Sequence, residues 1–86
     1  MLLPFTESAE EGNLLRSFSE DVDKFSLKWH RDPEDRLIEP TGFTDWKIQL
    51  EDGLPEYICK EVFIPKCSWH RLIKGTDKLI IKLTKI

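Results

Sequence analysis

The chain has 86 residues, 40% of them hydrophobic and 34% charged, with a net charge of -3 at neutral pH. That is enough for one small domain with a single core, and no apolar run approaches the ~20 residues that a membrane helix needs. The acidic balance gives no general attraction to nucleic acid, so neither nucleic acid nor a membrane is an expected partner.

The charge is unevenly spread: residues 1–56 carry 6 basic and 14 acidic side chains, residues 57–86 carry 7 basic and 2 acidic. The lysines of the basic third are spaced as solvent-facing strand and turn residues, and lysine commonly guards sheet edges. Cys59 and Cys67 are too few for the framework of a secreted mini-protein. They read as free thiols, which makes a cytoplasmic location the expectation. Met1-Leu2-Leu3-Pro4-Phe5 is apolar but short and lacks a basic leader, so it is not expected to act as a signal peptide.

In chain order, Ser8-Ala9-Glu10-Glu11 has the form of a capping box and predicts one or two helical turns within 7–18. Residues 1–19 thus read as an N-terminal arm or helical turn and 20–86 as the barrel of a single domain. From Lys24 the period changes to two. Phe25, Leu27 and Trp29 alternate with Ser26, Lys28 and His30, which predicts a half-buried strand. Asp32-Pro33-Glu34-Asp35 breaks it. A short strand is expected at 36–39, ended by Pro40-Thr41-Gly42, and another through Trp46, Ile48 and Leu50, ended by Glu51-Asp52-Gly53. Tyr57 and Ile58 follow, then strands at 61–64, 69–73 and 78–85, with Lys74-Gly75-Thr76-Asp77 read as a hairpin turn. Pro65 has no N–H to give a ladder, so it closes the strand before it. Many short strands with turn residues between them indicate an all-β sandwich or barrel. Trp29, Trp46 and Trp69 are each in register with apolar neighbours and are expected in the core; Trp69 is the one that could instead wall a ligand pocket.

The spacing from Pro65 to His70 resembles the second sequence motif of the cupin superfamily, Gly-x5-Pro-x-Gly-x2-His, with Cys59 and Cys67 at the two glycine positions. The cysteines are expected there as small buried hydrophobes. Trp29-His30-Arg31-Asp32-Pro33-Glu34-Asp35-Arg36 precedes that segment, with Trp46-Lys47-Ile48-Gln49 and Leu54-Pro55 between. This order looks like that of small single-domain cupin-like proteins over residues 20–86. The resemblance implies a jelly-roll-like antiparallel β-barrel, open at one end, with a pocket lined by inward side chains. In metal-binding cupins the first motif supplies His-x-His and a glutamate. Here His30-x-Asp32 stands in that place, His70 matches the second motif, and no glutamate falls at the usual position after Asp32.

His30 and Asp32, two apart on an extended segment, share a face. With His70 they make a two-histidine, one-carboxylate set that suits Fe(II), Mn(II) or Zn(II) and leaves coordination positions open. The same three residues also suit a polar network in which Asp32 pairs with Arg31 or Arg36. Arg36 beside Asp32 and Asp35 could grip an anion bidentately, or simply lace a turn with ion pairs. Gln49, alternating out of the Trp46, Ile48, Leu50 face, joins Trp69, Arg71 and Arg36 as candidate ligand-binding residues. Parity puts Lys28 on the face of His30 and Asp32. If that face points inward, the lumen is expected to be polar and hydrated, holding a small polar or anionic ligand, with the His30 and His70 side chains approaching within about 8 Å across a common cavity. If Phe25, Leu27 and Trp29 point inward instead, His30 lies on the outer face and the site is lost.

A reading of another class is a non-catalytic structural or regulatory module with a packed barrel and a protein-binding surface. Self-association as a homodimer is expected in either case. An open barrel leaves edge strands, which Leu2-Leu3-Pro4-Phe5 and Leu79-Ile80-Ile81 could cover in a neighbour.

Overall fold

Leu79, Ile81 and Leu83 are buried, while Ile80, Lys82 and Thr84 between them are only half-buried. Period-two burial of this kind marks a strand with one face on a core, and this strand is central to the fold. The computed structural model describes residues 3–85. Among them are eight strands: β1 (Thr6–Glu10), β2 (Asn13–Phe18), β3 (Arg36–Pro40), β4 (Lys47–Leu50), β5 (Glu56–Tyr57), β6 (Val62–Ile64), β7 (His70–Ile73) and β8 (Leu79–Lys85). They form a five-stranded sheet, order β1-β2-β8-β3-β6, and a three-stranded sheet, order β5-β4-β7. Every pairing is antiparallel.

The two sheets face each other as an open, unclosed barrel. Phe18, Ile38, Ile64, Leu79, Ile81 and Leu83 fill it from the larger sheet, and Trp46 and Ile48 meet them from the smaller side. Trp46 has no exposed surface, packs its ring 5.6 Å from that of Phe18 and donates its indole N–H to Asp77 O at 2.6 Å. A buried indole needs such a partner.

The N-terminal segment differs from expectation. Residues 6–18 are not a helical arm but the β1–β2 hairpin, whose strand β2 lies against β8 in the sheet. Its loop is Glu11-Gly12, with φ of 45° and 84°. Two successive positive φ values are what a two-residue hairpin loop requires, and glycine takes one without strain. The strand expected around Phe25, Leu27 and Trp29 is also absent. Asp23 accepts from Phe25 N and caps a single 3-10 turn, Lys24–Ser26, and only His30 makes a strand-like bridge. Phe25 is consequently exposed. Trp29 and Trp69, placed in the core by their register, are 38% and 41% exposed, so of the three tryptophans only Trp46 is core. Residues 74–77 are not a hairpin turn; they carry the chain from the smaller sheet to the larger. Cys59 and Cys67 are free and exposed rather than buried. Of Leu2-Leu3-Pro4-Phe5, expected to cover an edge in a neighbour, Leu2 lies outside the described residues. Leu79-Ile80-Ile81, expected to do the same, belongs to β8 between β2 and β3, with Leu79 and Ile81 buried in the chain's own core, so it is not available to a neighbour.

Candidate metal and ligand site

His30 and His70 come together through backbone pairing. His30 N donates to His70 O at 3.0 Å and His70 N donates to His30 O at 2.9 Å, the reciprocal exchange of a hydrogen-bonded antiparallel pair. Residues directly opposite in such a pair project their side chains to the same face. Both imidazoles therefore point into one cavity, their ring centroids 4.3 Å apart, well inside the separation required from sequence. β4 bonds the opposite edge of β7, so this bridge adds one residue, His30, to the outer edge of the smaller sheet.

The turn before His70 is anchored to the loop that carries Asp32. Cys67 N donates to Asp32 O at 2.6 Å and Lys66 N to Asp35 Oδ1 at 2.8 Å. Ser68 N closes the turn on Pro65 O, with Cys67 at φ 62°. That is the third position of a turn needing positive φ, and it coincides with a glycine of the motif.

Each histidine has one nitrogen committed. His30 Nδ1 lies 3.0 Å from Lys28 O, and His70 Nδ1 lies 2.9 Å from Ser68 O. A carbonyl can only accept, so each Nδ1 is protonated and donates. In the neutral rings Nε2 then holds the lone pair. Carbonyl-bound Nδ1–H with free Nε2 is the outer-shell pattern that orients metal-binding histidines. His70 is buried, and burial, the largest effect, lowers its pKa from the ordinary histidine value, with nearby His30 and Arg36 acting in the same direction against the Ser68 carbonyl and Asp32. The neutral ring is favoured.

Asp32 completes the cluster. One atom from each of His30, Asp32 and His70 can be chosen so that all lie within 4.8 Å of one another. Asp32 Oδ2 sits 3.3 Å from His70 Nε2 and 3.2 Å from Arg36 Nη1. Neither approach has hydrogen-bond alignment, and this buried oxygen has no hydrogen-bond partner among the described residues. Arg36 instead donates to Glu34 Oε1 at 2.9 Å, which is the main cause that lowers the Glu34 pKa.

The cavity behind the cluster has a volume of about 280 Å³. His30, Asp32, Arg36 and His70 line one part of it, Lys28 and Arg16 contribute further charge, and the remainder is chiefly apolar. A polar, hydrated lumen was the expectation; the inward positions of β2, β3, β4 and β8 make it amphipathic instead. Gln49, Trp69 and Arg71 are not in the lining, which corrects their expected place in the lumen. Gln49 follows the inward Ile48 and so faces out, where its Oε1 accepts from Arg71 Nε at 3.0 Å and Nη2 at 2.8 Å. Arg71 lies over the Trp29 ring at 5.0 Å and Arg31 over the Trp69 ring at 5.1 Å, so these aromatics hold cations on the outer surface. Arg16 and Phe18 were missed as lining residues. Their signal was the alternation Leu14, Arg16, Phe18, hidden by the capping-box reading of the preceding residues.

No protein-family model matches the chain, and no curated protein matches it. Solved structures do. A cupin domain from Bordetella pertussis tohama i aligns with a TM-score of 0.62 at 13% identity over 100% of this chain and 98% of that one. A protein from Neisseria meningitidis aligns with a TM-score of 0.60 at 15% identity, over 95% of this chain and 81% of that one. A chain from the structures of the DMSP lyases RdDddP and RnDddQII gives 0.66 at 15% identity, over 83% of this chain but 35% of that one. Identities this low speak to architecture alone: the chain has the fold of a cupin domain.

Proposed function

We propose that this domain binds a small molecule in its open barrel, with a divalent metal ion held by His30, Asp32 and His70. One observation carries the reading. Asp32 Oδ2 is buried without a hydrogen-bond partner, 3.3 Å from the Nε2 of a histidine whose Nδ1 carries the proton. Arg36 Nη1, 3.2 Å from the same oxygen, offsets its charge without an aligned hydrogen bond, so the carboxylate oxygen and the imidazole lone pair that it faces are both left unsatisfied, and a cation between them would satisfy both. Two nitrogens and one oxygen suit Zn(II), Mn(II) or Fe(II), and three protein ligands leave positions open to a ligand. Bound there, the ion would act as a Lewis acid on a ligand oxygen. The chain's own residues do the rest. Lys28 O and Ser68 O hold the two imidazole rings, Arg36 lies against Asp32 and balances its charge, and the apolar walls keep water from the ligand's body. The cavity of about 280 Å³ favours a binding role over a packed interaction module.

Elemental analysis and calorimetric titration with zinc and manganese test the assignment. The parent protein is expected to take up one ion per chain, and His30→Ala, Asp32→Ala and His70→Ala to lose it while remaining folded. Uptake well below one ion per chain would leave the cluster a polar network. We also propose a homodimer, supported by the position of β1 at the edge of its sheet with no partner on its outer side among the described residues. Sedimentation at micromolar concentration giving only a 10.1 kDa species would remove it.

A further inference from the structure

The charges and the walls of the cavity differ in a way that narrows its ligand. Phe18, Ile38, Ile48, Leu72, Ile81 and Leu83 line its walls and offer no side-chain hydrogen-bond partner. A polyhydroxylated ligand would have to strip water from hydroxyls that gain nothing in return. A volume of about 280 Å³ lies at the low end for ligand cavities, so the molecule is small.

The charged lining is Arg16, Lys28 and Arg36 against Asp32 alone. Arg16 is held by Glu7 and lies over the Phe5 ring at 4.3 Å. Arg36 is held by Glu34 and Asp32. Lys28 is different. It has no acidic partner among the described residues, it is exposed, and it sits at the cavity two residues before His30, whose ring its own carbonyl orients. The cavity therefore presents one uncompensated cation beside the histidine cluster and an apolar chamber beyond.

We propose that the ligand is a compact amphiphilic monoanion, a short branched or cyclic hydrocarbon bearing one carboxylate, with the carboxylate at Lys28 and the His30 end and the hydrocarbon against Phe18, Ile48 and Leu72. This rests on the cavity being a binding site, but not on the ion.

Calorimetry with four probes tests it, run on zinc-loaded and on chelator-treated protein. The probes are 4-methylpentanoate, the uncharged 4-methylpentan-1-ol, acetate, which has the charge without the body, and gluconate, which has the charge on a polyhydroxylated body. The first is expected to bind saturably and at least about tenfold more tightly than the other three. Lys28→Gln, a change at an exposed side chain, is expected to weaken it about fivefold to tenfold and to leave the alcohol unaffected. Gluconate or the alcohol binding as tightly, or Lys28→Gln leaving the carboxylate's affinity unchanged, overturns the proposal. If 4-methylpentanoate binds the chain with and without zinc and zinc itself is not taken up, the ligand class stands and the metal assignment falls. If zinc is taken up at one ion per chain and no carboxylate binds, the proposal falls and the metal assignment stands.

Discussion

Cys67 holds a backbone conformation that suits glycine. Its φ of 62° closes the turn that delivers Ser68 O to His70, and its side chain is exposed, so nothing in the core compensates for the strain. Left-handed geometry costs an ordinary residue about 1–2 kcal/mol, part of which glycine's greater unfolded entropy takes back. Cys67→Gly is therefore expected to stabilise the protein by about 0.5–1 kcal/mol in urea unfolding, with metal uptake intact; a loss of stability would show that the thiol packs after all. The other cysteine at a motif glycine, Cys59, has no positive φ, and the same exchange there should gain nothing. At this scale the sequence was partly legible. Pro65 and His70 were readable because a proline, a positive-φ turn position and a histidine at fixed separation leave a local mark. Gln49 and Arg71 were not, because parity alone does not say which face of a two-faced strand meets the cavity, and it was Ile48 that turned inward.

The segment between β7 and β8 behaves as a clasp. Thr76 N and Oγ1 donate to the two oxygens of Asp45 at 2.9 and 2.6 Å, and these bonds lower the pKa of Asp45. Gly75 passes so close to Trp46 that a Cβ there would stand 2.7 Å from the indole Cδ1, with the Asp45 carboxylate nearer still. Gly75→Ala must push the clasp away from Trp46, and a loss of about 1–3 kcal/mol is expected from thermal unfolding, as for overpacking elsewhere. Asp45→Ala removes the acceptor. Because the folded pKa is depressed, the stability it supplies is full above the ordinary carboxylate value and disappears as pH falls through the folded one. The gap in melting temperature between parent and Asp45→Ala should therefore be clear at pH 7 and should close on acidification below about pH 4; a gap that stayed constant would mean that the charge plays no part. Elements built on turns with strong local signals, such as Asp52-Gly53, were readable in advance. The β1–β2 hairpin was not, because Ser8 and Glu11 imitate a helix cap while the true signal, a two-residue Glu11-Gly12 loop, is weaker than Asn-Gly or Asp-Gly. The segment from Lys24 to Trp29 alternates like a strand yet has no neighbour to pair with, and Asp23 turns it into a cap instead.

For the molecule as a whole, the architecture follows from one long central strand, β8, with partners on both edges and a smaller sheet set against its buried face. The smaller sheet has only short strands, so the barrel stays open and a chamber remains beside the core. Alternation across many strands made an all-β barrel legible. The chamber's composition was not, because it depends on which inward faces meet, and β2, misread locally, supplies two of its lining residues, Arg16 and Phe18. Since the chamber already has room, enlarging a wall should cost little: Leu72→Phe is expected to change stability by less than about 1.5 kcal/mol while abolishing small-molecule binding. Retained binding would place the ligand elsewhere.

The His30–His70 bridge has a thermodynamic consequence. Its two residues belong to opposite halves of the chain, and the two reciprocal hydrogen bonds between them exist only when the loop before β3 has closed on the edge of β7. An unfolded chain cannot present the same three side chains together. The ion proposed there would thus be a ligand of the folded state alone, and mass action would add about 2.7 kcal/mol to the folding free energy at one hundred times the dissociation constant, raising the melting temperature with ion concentration. In a domain this small that increment is a large share of the total stability. Metal supply would then govern how much of the protein survives in folded form.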